Sequence, residues 1–179
     1  MTTNARPYAN SYWVEPGRLL AGEYPGDWPA SAMRQKLQLV LAAGVTFFLD
    51  LTHPNDPLQP YAPVLQQMSK AYARPAVYQR MAIVDLNVPS VAQMVQTLAL
   101  IEEALAAEHV VYVHCWGGVG RTGTVVGCHL VNRGNSGEAA LAEIARLWQD
   151  VAKRDRYPRS PETPAQFQMV RTWGVVSRR

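Results

Sequence analysis

The segment Val110-Val111-Tyr112-Val113-His114-Cys115-Trp116-Gly117-Gly118-Val119-Gly120-Arg121-Thr122-Gly123 limits what this chain can fold into more than any other stretch. Val110 to Val113 form a continuous β-favouring apolar run, as expected of a strand covered by protein on both faces. After a loop with three glycines, the pattern changes to an apolar helix from Arg121 to Val131, closed by Asn132-Arg133-Gly134. Strands separated by helical segments imply crossover connections and a mainly parallel sheet. Ligands of such sheets bind at the carboxyl ends of the strands, where Cys115 to Gly120 fall.

The rest of the chain repeats the alternation. Arg18-Leu19-Leu20-Ala21-Gly22 reads as a short strand, and Tyr24-Pro25-Gly26-Asp27-Trp28-Pro29 as turns. Ser31 is placed to cap a helix with the face Met33, Leu37, Val40 and Leu41, stopped at Gly44. Val45 to Leu49 reads as a buried strand, Tyr61 to Met68 as a short helix, and Val77 to Ile83 as another strand. Ser90 with Gln93 predicts a capping box before the face Val91, Met94, Val95, Leu98, Ile101 and Leu105. Asn135 with Glu138 predicts a further capped helix to about Asp150, and a last helix follows Pro164. The expected class is α/β, with a central, mainly parallel sheet flanked by helices on both faces. Residues 1–11 are expected to be a flexible lead-in and residues 12–179 one domain.

Composition narrows the class. A hydrophobic fraction of 48% with 17% charged residues excludes an intrinsically disordered chain. No apolar run of about 18 residues exists, so no membrane-spanning helix is expected. Met1 to Tyr12 lacks the basic-then-apolar layout of a secretory signal, and two cysteines are too few for a disulfide scaffold. A cytoplasmic location is the expectation. A net charge of +3 favours anionic partners without calling for nucleic acid.

The loop itself carries the chemistry. Glycines at 117, 118 and 120 let the amides of residues 116–121 converge on one point, and the helix adds its N-terminal N–H groups. That is a cradle for a tetrahedral oxyanion. Arg121 supplies a two-pronged donor that lysine cannot match. Cys115 lies at the floor, where the same donors favour a thiolate, which is the nucleophilic form. Thr122 is placed to donate to the sulfur, and His114 to hold the loop through its ring nitrogens. Cys128, inside the helix, reads as core filler, with a redox partnership to Cys115 as the lesser alternative.

His114-Cys115, five residues, Arg121 and Thr122 resemble the signature of the protein tyrosine phosphatase superfamily, which is His-Cys-x5-Arg-Ser/Thr. The shortness of the chain and its Arg18-Leu-Leu-Ala-Gly strand are most similar to the compact dual-specificity branch, over about residues 12 to 175. The resemblance implies a metal-independent, cofactor-free phosphomonoester hydrolase working through a cysteinyl phosphate. It also implies an acid in an upstream loop. Asp85, 30 residues before Cys115 in Asp85-Leu-Asn-Val-Pro-Ser90, fits that place; Asp56 is the reserve, and Asp50 reads as structural. Glu162-Thr163-Pro164-Ala165-Gln166 resembles the family's glutamine loop, in which a glutamine orients the hydrolytic water. Gln166 matches its second glutamine, but Glu162 stands at the first, so Gln166 is either a water-positioning residue or a plain surface one.

Three other readings compete. Gly118-Val-Gly120-Arg-Thr-Gly123 matches a dinucleotide fingerprint, with Glu138 and Glu143 near the spacing of a ribose-binding acid. It explains neither Cys115 nor Arg121. His114, Cys115, Cys128 and His129 suggest zinc, but a helix between the pairs separates them by about 15–20 Å, too far for ligands at about 2 Å. A non-catalytic phosphate-binding module is the third, and the presence of Cys115, Arg121 and Asp85 together argues against it. Among substrates, the absence of basic residues between Cys115 and Arg121 favours phosphoproteins or phosphopeptides over phosphoinositides or inositol phosphates. Trp116 is open to two roles, stacking on a substrate ring or packing beneath the loop. Lys153, Arg154, Arg156 and Arg159 either steer an acidic substrate or form a solvated basic loop.

Overall fold

A computed structural model describes residues 5–26, 28–72 and 74–177; Asp27, in the expected turn run, lies outside them. Among these residues five strands, β1 (Ser11–Glu15), β2 (Leu19–Gly22), β3 (Phe47–Asp50), β4 (Val77–Arg80) and β5 (Val111–His114), form one sheet in the order β1-β2-β5-β3-β4. β2, β5, β3 and β4 run parallel, and only β1 is antiparallel. The α/β class and the mainly parallel sheet are as the sequence predicts.

Among the described residues six α-helices cover the sheet: α1 (Ala30–Ala42), α2 (Ala62–Ser69), α3 (Val91–Ala106), α4 (Gly120–Asn132), α5 (Gly137–Trp148) and α6 (Pro164–Val176). The two-residue side-chain period of a strand sorts the core into two layers. Leu19, Ala21, Leu49, Val111 and Val113 pack with Leu98, Ile101, Val125, Ile144 and Trp173 of α3 to α6. Leu20, Phe48 and Tyr112 pack with Leu37, Val40, Leu41 and Leu65 of α1 and α2. Each fully buried Val, Leu, Ile or Phe among them contributes roughly 1.5–3 kcal/mol. Register brings Gly22, His114 and Asp50 level at the carboxyl edge, so the β5–α4 loop opens between β2 and β3.

Several boundaries differ from expectation for local reasons. β1 is a strand the sequence reading did not anticipate. Of the expected lead-in over 1–11, residues 1–4 lie outside the described residues, whereas the Tyr8 hydroxyl donates to Glu23 O and Ser11 already pairs with Gly22. α1 starts from Pro29, without a side-chain cap, and Ser31 lies inside the helix. α5 is capped by Ser136, which accepts from Ala139 N, while the Asn135 amide donates instead to Leu130 O. Ser90 caps α3 as predicted, but the Gln93 amide reaches Ala82 O rather than closing the box. On that helix Met94, Leu98, Ile101 and Leu105 are buried, while Val91 and Val95 stay exposed. No helix among the described residues is long and apolar enough to cross a membrane.

Candidate active site

Cys115 follows β5 directly and is 3% exposed. The loop from Cys115 to Val119 is fixed by its carbonyls. Trp116 O accepts from Tyr24 N, Gly117 O from Lys153 Nζ and Val119 O from Ser160 Oγ. Gly118 is at φ +73, and a Cβ there would come within 2.6 Å of the Gly22 backbone. Only glycine meets both conditions. With the carbonyls engaged outward, the amides of Trp116 to Val119 donate to no protein acceptor among the described residues. They are left free, as a nest for an anion requires, and α4 begins just after them at Gly120.

Arg121 rises from the first turn of α4 and is 1% exposed. Its Nη1 donates to Asp56 Oδ2 at 2.7 Å and to Ile83 O at 3.0 Å. Nε and Nη2 are buried and make no hydrogen bond. Nη2 lies 2.9 Å from Asp85 Oδ1, an ion pair without hydrogen-bond alignment. Burial opposes the guanidinium charge, but Cys115, Asp56 and Asp85 together raise its proton affinity. One edge of the fork is thus anchored in protein, whereas on the other Nε has no partner and Nη2 faces only the exposed Asp85 carboxylate.

The sequence candidates converge here, with differences. Asp85 lies in the exposed loop between β4 and α3 and lines one cavity, of about 490 Å³, with Cys115, Trp116, Gly117, Val119 and Gly120. Asp56, the reserve acid, is almost wholly buried as the Arg121 anchor and accepts from His53 N, so its place is structural. Asp50 is structural as expected. Burial works against its charge, but hydrogen bonds from Thr52 and Tyr78 hold its carboxyl below the usual range.

His114 is buried and uses both ring nitrogens. Nδ1 is 3.3 Å from Cys115 O, which can only accept, so Nδ1 carries the proton; Nε2 then accepts from the Tyr61 hydroxyl at 2.6 Å. Burial pushes its proton affinity down, against the pull of Asp50. The ring is a neutral strut, and of this the sequence predicts only that its nitrogens hold the loop. Thr122 departs from expectation: its hydroxyl is buried with no hydrogen-bond partner, so the expected bond to the Cys115 sulfur is not made. Burial also raises the Cys128 thiol far above its ordinary range, which fits core filler.

Gln166 is not a surface residue. It is fully buried against Gly120, its Oε1 accepts from Glu162 N and Thr163 N, and its Nε2 donates to Asn87 O. It ties the start of α6 to the Asp85 loop, and its oxygen is occupied by protein rather than held open for water. Trp116 stands 44% exposed on the cavity rim, which removes the packing-beneath alternative. Lys153 is bound to Glu23 as well as Gly117 O, whereas Arg156 lines the cavity stacked over Tyr157, with no carboxylate partner among the described residues. The residue the sequence reading passed over is Glu162, treated there only as a departure from a glutamine. It lines the same cavity, and burial together with the charge of Asp85 raises its carboxyl above the usual range, against the pull of Arg121.

Similarity to known proteins fits this geometry. The chain is 25% identical to Tk-PTP in its active form (TM-score 0.67), over 93% of this chain and 97% of that one. It is 20% identical to PTPMT1 in complex with PI(5)P (TM-score 0.68; 94% and 96% covered). It is 14% identical to kinase associated phosphatase (TM-score 0.68; 96% of each chain covered). A family model described as "Swiss Army Knife protein, DSP-PTPase phosphatase domain" matches residues 8–170. With nearly the whole fold inside that match, the chain belongs to the DSP-PTPase phosphatase family of Swiss Army Knife domains.

Proposed function

We propose that this chain is a cysteine-dependent, metal-independent phosphomonoester hydrolase acting on phosphoproteins, on phosphotyrosine and also on phosphoserine or phosphothreonine. One observation carries the reading: beside a cysteine and a loop of unbonded amides, a buried arginine keeps Nε unpaired and Nη2 paired only with the exposed Asp85, without hydrogen-bond alignment. Leaving buried donors unpaired costs about 1–3 kcal/mol each, so such a site is built for an acceptor that arrives. In this reading the 116–121 amides and Arg121 hold the phosphoryl group while Cys115 Sγ attacks phosphorus. A phosphate oxygen on Nη2 displaces Asp85, freeing it to protonate the leaving oxygen as the P–O bond breaks. Water then cleaves the cysteinyl phosphate.

The rim supports a protein substrate. Leu86, Trp116 and Tyr157 line the opening and offer apolar and aromatic surface to a phosphorylated ring. A second reading, a phosphoinositide substrate, is favoured by Arg156 in the cavity wall, since an unpartnered guanidinium suits an additional phosphate.

The first test is phenolate release from an aryl phosphate, in chelator and reductant, by the wild type and Cys115→Ser. Activity abolished by the substitution is expected. Activity retained in Cys115→Ser rejects the cysteinyl-phosphate route, and an inert wild type that still binds inorganic phosphate favours a binding module. Phosphopeptide and phosphoinositide panels then separate the substrates.

A further inference from the structure

Glu162 precedes α6 by two residues, and its main-chain N–H is fixed by Gln166 Oε1 at 3.1 Å. Its carboxyl makes no hydrogen bond or ion pair among the described residues, although it lines the cavity with Cys115, Asp85, Lys153 and Arg156. A phosphate-binding cavity with two carboxyl groups in its wall is costly unless both have work to do, because each repels the dianion that must enter.

An in-line displacement supplies work for two. The leaving oxygen departs from the side of phosphorus opposite Cys115 Sγ, and the hydrolytic water must enter at the place it vacates. The first step needs a proton donor there, and the second a proton acceptor. Once Asp85 has given its proton to the leaving group, the wall of the cavity carries two carboxylates. Uptake of a proton by one relieves their repulsion. Gln166, the other candidate for handling water, has its amide oxygen engaged by two backbone N–H groups.

We infer that Glu162 is the general base of the second step and that Asp85 serves the first, so the two proton transfers are divided between two carboxyl groups. The inference rests on the phosphatase reading above. In the step assigned to Glu162, the water oxygen bonds to phosphorus and the P–S bond breaks, its electron pair returning to Sγ. The water proton passes to the Glu162 carboxylate and then to solvent, and inorganic phosphate leaves. The raised proton affinity of Glu162 suits the role, since a base works best with a pKa close to the working pH.

The test is pre-steady-state phenolate release from an aryl phosphate, with acid quench and intact mass of the protein. Wild type, Glu162→Gln, Glu162→Asp and Asp85→Asn are compared, each checked for phosphate affinity and thermal melting. Glu162→Gln is expected to release one equivalent of phenolate rapidly and to accumulate phosphoenzyme, then to turn over about 100-fold more slowly. Its kcat should lose the acidic limb of its pH profile. Glu162→Asp should recover part of the rate, and Asp85→Asn should slow the burst itself. Glu162→Gln turnover within twofold of wild type, or slowed without phosphoenzyme, overturns the inference while leaving the phosphatase reading intact. An inert wild type overturns both.

Discussion

Arg121 meets two carboxylates on different atoms, and the two contacts differ in kind. Asp56 bonds Nη1 from a nearly closed position, while Asp85 touches Nη2 from an exposed loop without hydrogen-bond alignment. The first contact orients the fork; the second is of a kind that a phosphate can replace. Removing Asp56 leaves a buried guanidinium short of its counter-charge, a loss of about 3–5 kcal/mol when a buried pair is broken. Asp56→Ala is therefore expected to lower the urea midpoint strongly and to weaken phosphate binding. Saturating phosphate should restore part of the stability by supplying the missing negative charge. Wild-type stability in Asp56→Ala, or no gain on adding phosphate, would remove Asp56 from the orienting role. None of this could be read from the chain alone, because Asp56 and Arg121 are 65 residues apart and both acidic candidates lie in proline-containing loops. The cradle was legible for the opposite reason: Cys115 to Arg121 are contiguous, so glycine placement and strand-to-helix geometry are written locally.

At the scale of elements, Gln166 joins three pieces that the sequence keeps apart: the start of α6, Gly120 of α4 and the Asp85 loop through Asn87. It also closes a capping box with Thr163, which the sequence offered only as a resemblance to a loop of another purpose. Gln166→Leu keeps most of the volume but loses the bond to Asn87 O and leaves Glu162 N and Thr163 N without their acceptor. The expected result is a stability loss of about 1–3 kcal/mol, with kcat about tenfold lower and phosphate affinity nearly unchanged, since the nest itself is intact. Amide exchange of residues 84–89 should quicken. Equal loss of phosphate affinity and kcat would show that Gln166 supports the Cys115–Gly120 loop rather than the Asp85 loop. Helix starts were misread by one or two residues where neighbours share capping chemistry, as with Asn135 and Ser136, or where proline set the start instead, as with Pro29 and Ser31. β1 escaped notice because it is covered on both faces, Tyr12 and Val14 packing into one layer and Trp13 into the other, so its short run shows no apolar–polar alternation. On α3 the periodicity was right, but only part of the apolar stripe is covered, and Val91 and Val95 remain in solvent.

The whole molecule places a polar cluster at the carboxyl edge of its sheet, and the stability of the fold inherits the titration of that cluster. His114 sits inside it, bonded to Tyr61 and Cys115 O, with burial holding the ring neutral when an exposed histidine would take a proton. Unfolded, the same ring protonates as pH falls through about 6.5. Below that point the unfolded chain binds more protons than the folded one, so stability falls with falling pH and is fully present above it. The slope reaches about 1.4 kcal/mol per pH unit for one group held neutral. His109 shifts in the same sense through partial burial and Arg74, whereas Glu162, whose proton affinity is raised, acts in the opposite sense above about pH 4.5. Asp50, shifted downward, contributes only as pH falls below the usual carboxylate range. His109 and Glu162 remain when His114 alone is replaced, and Asp50 acts only below the pH range compared. Urea midpoints from pH 7.5 to pH 5 should therefore decline more steeply for the wild type than for His114→Gln, whatever stability the variant loses at neutral pH with the Tyr61 contact. Parallel curves for the two proteins would mean that His114 takes up a proton in the folded state and is no neutral strut, and the Nδ1-protonated tautomer argued from Cys115 O would fall with it.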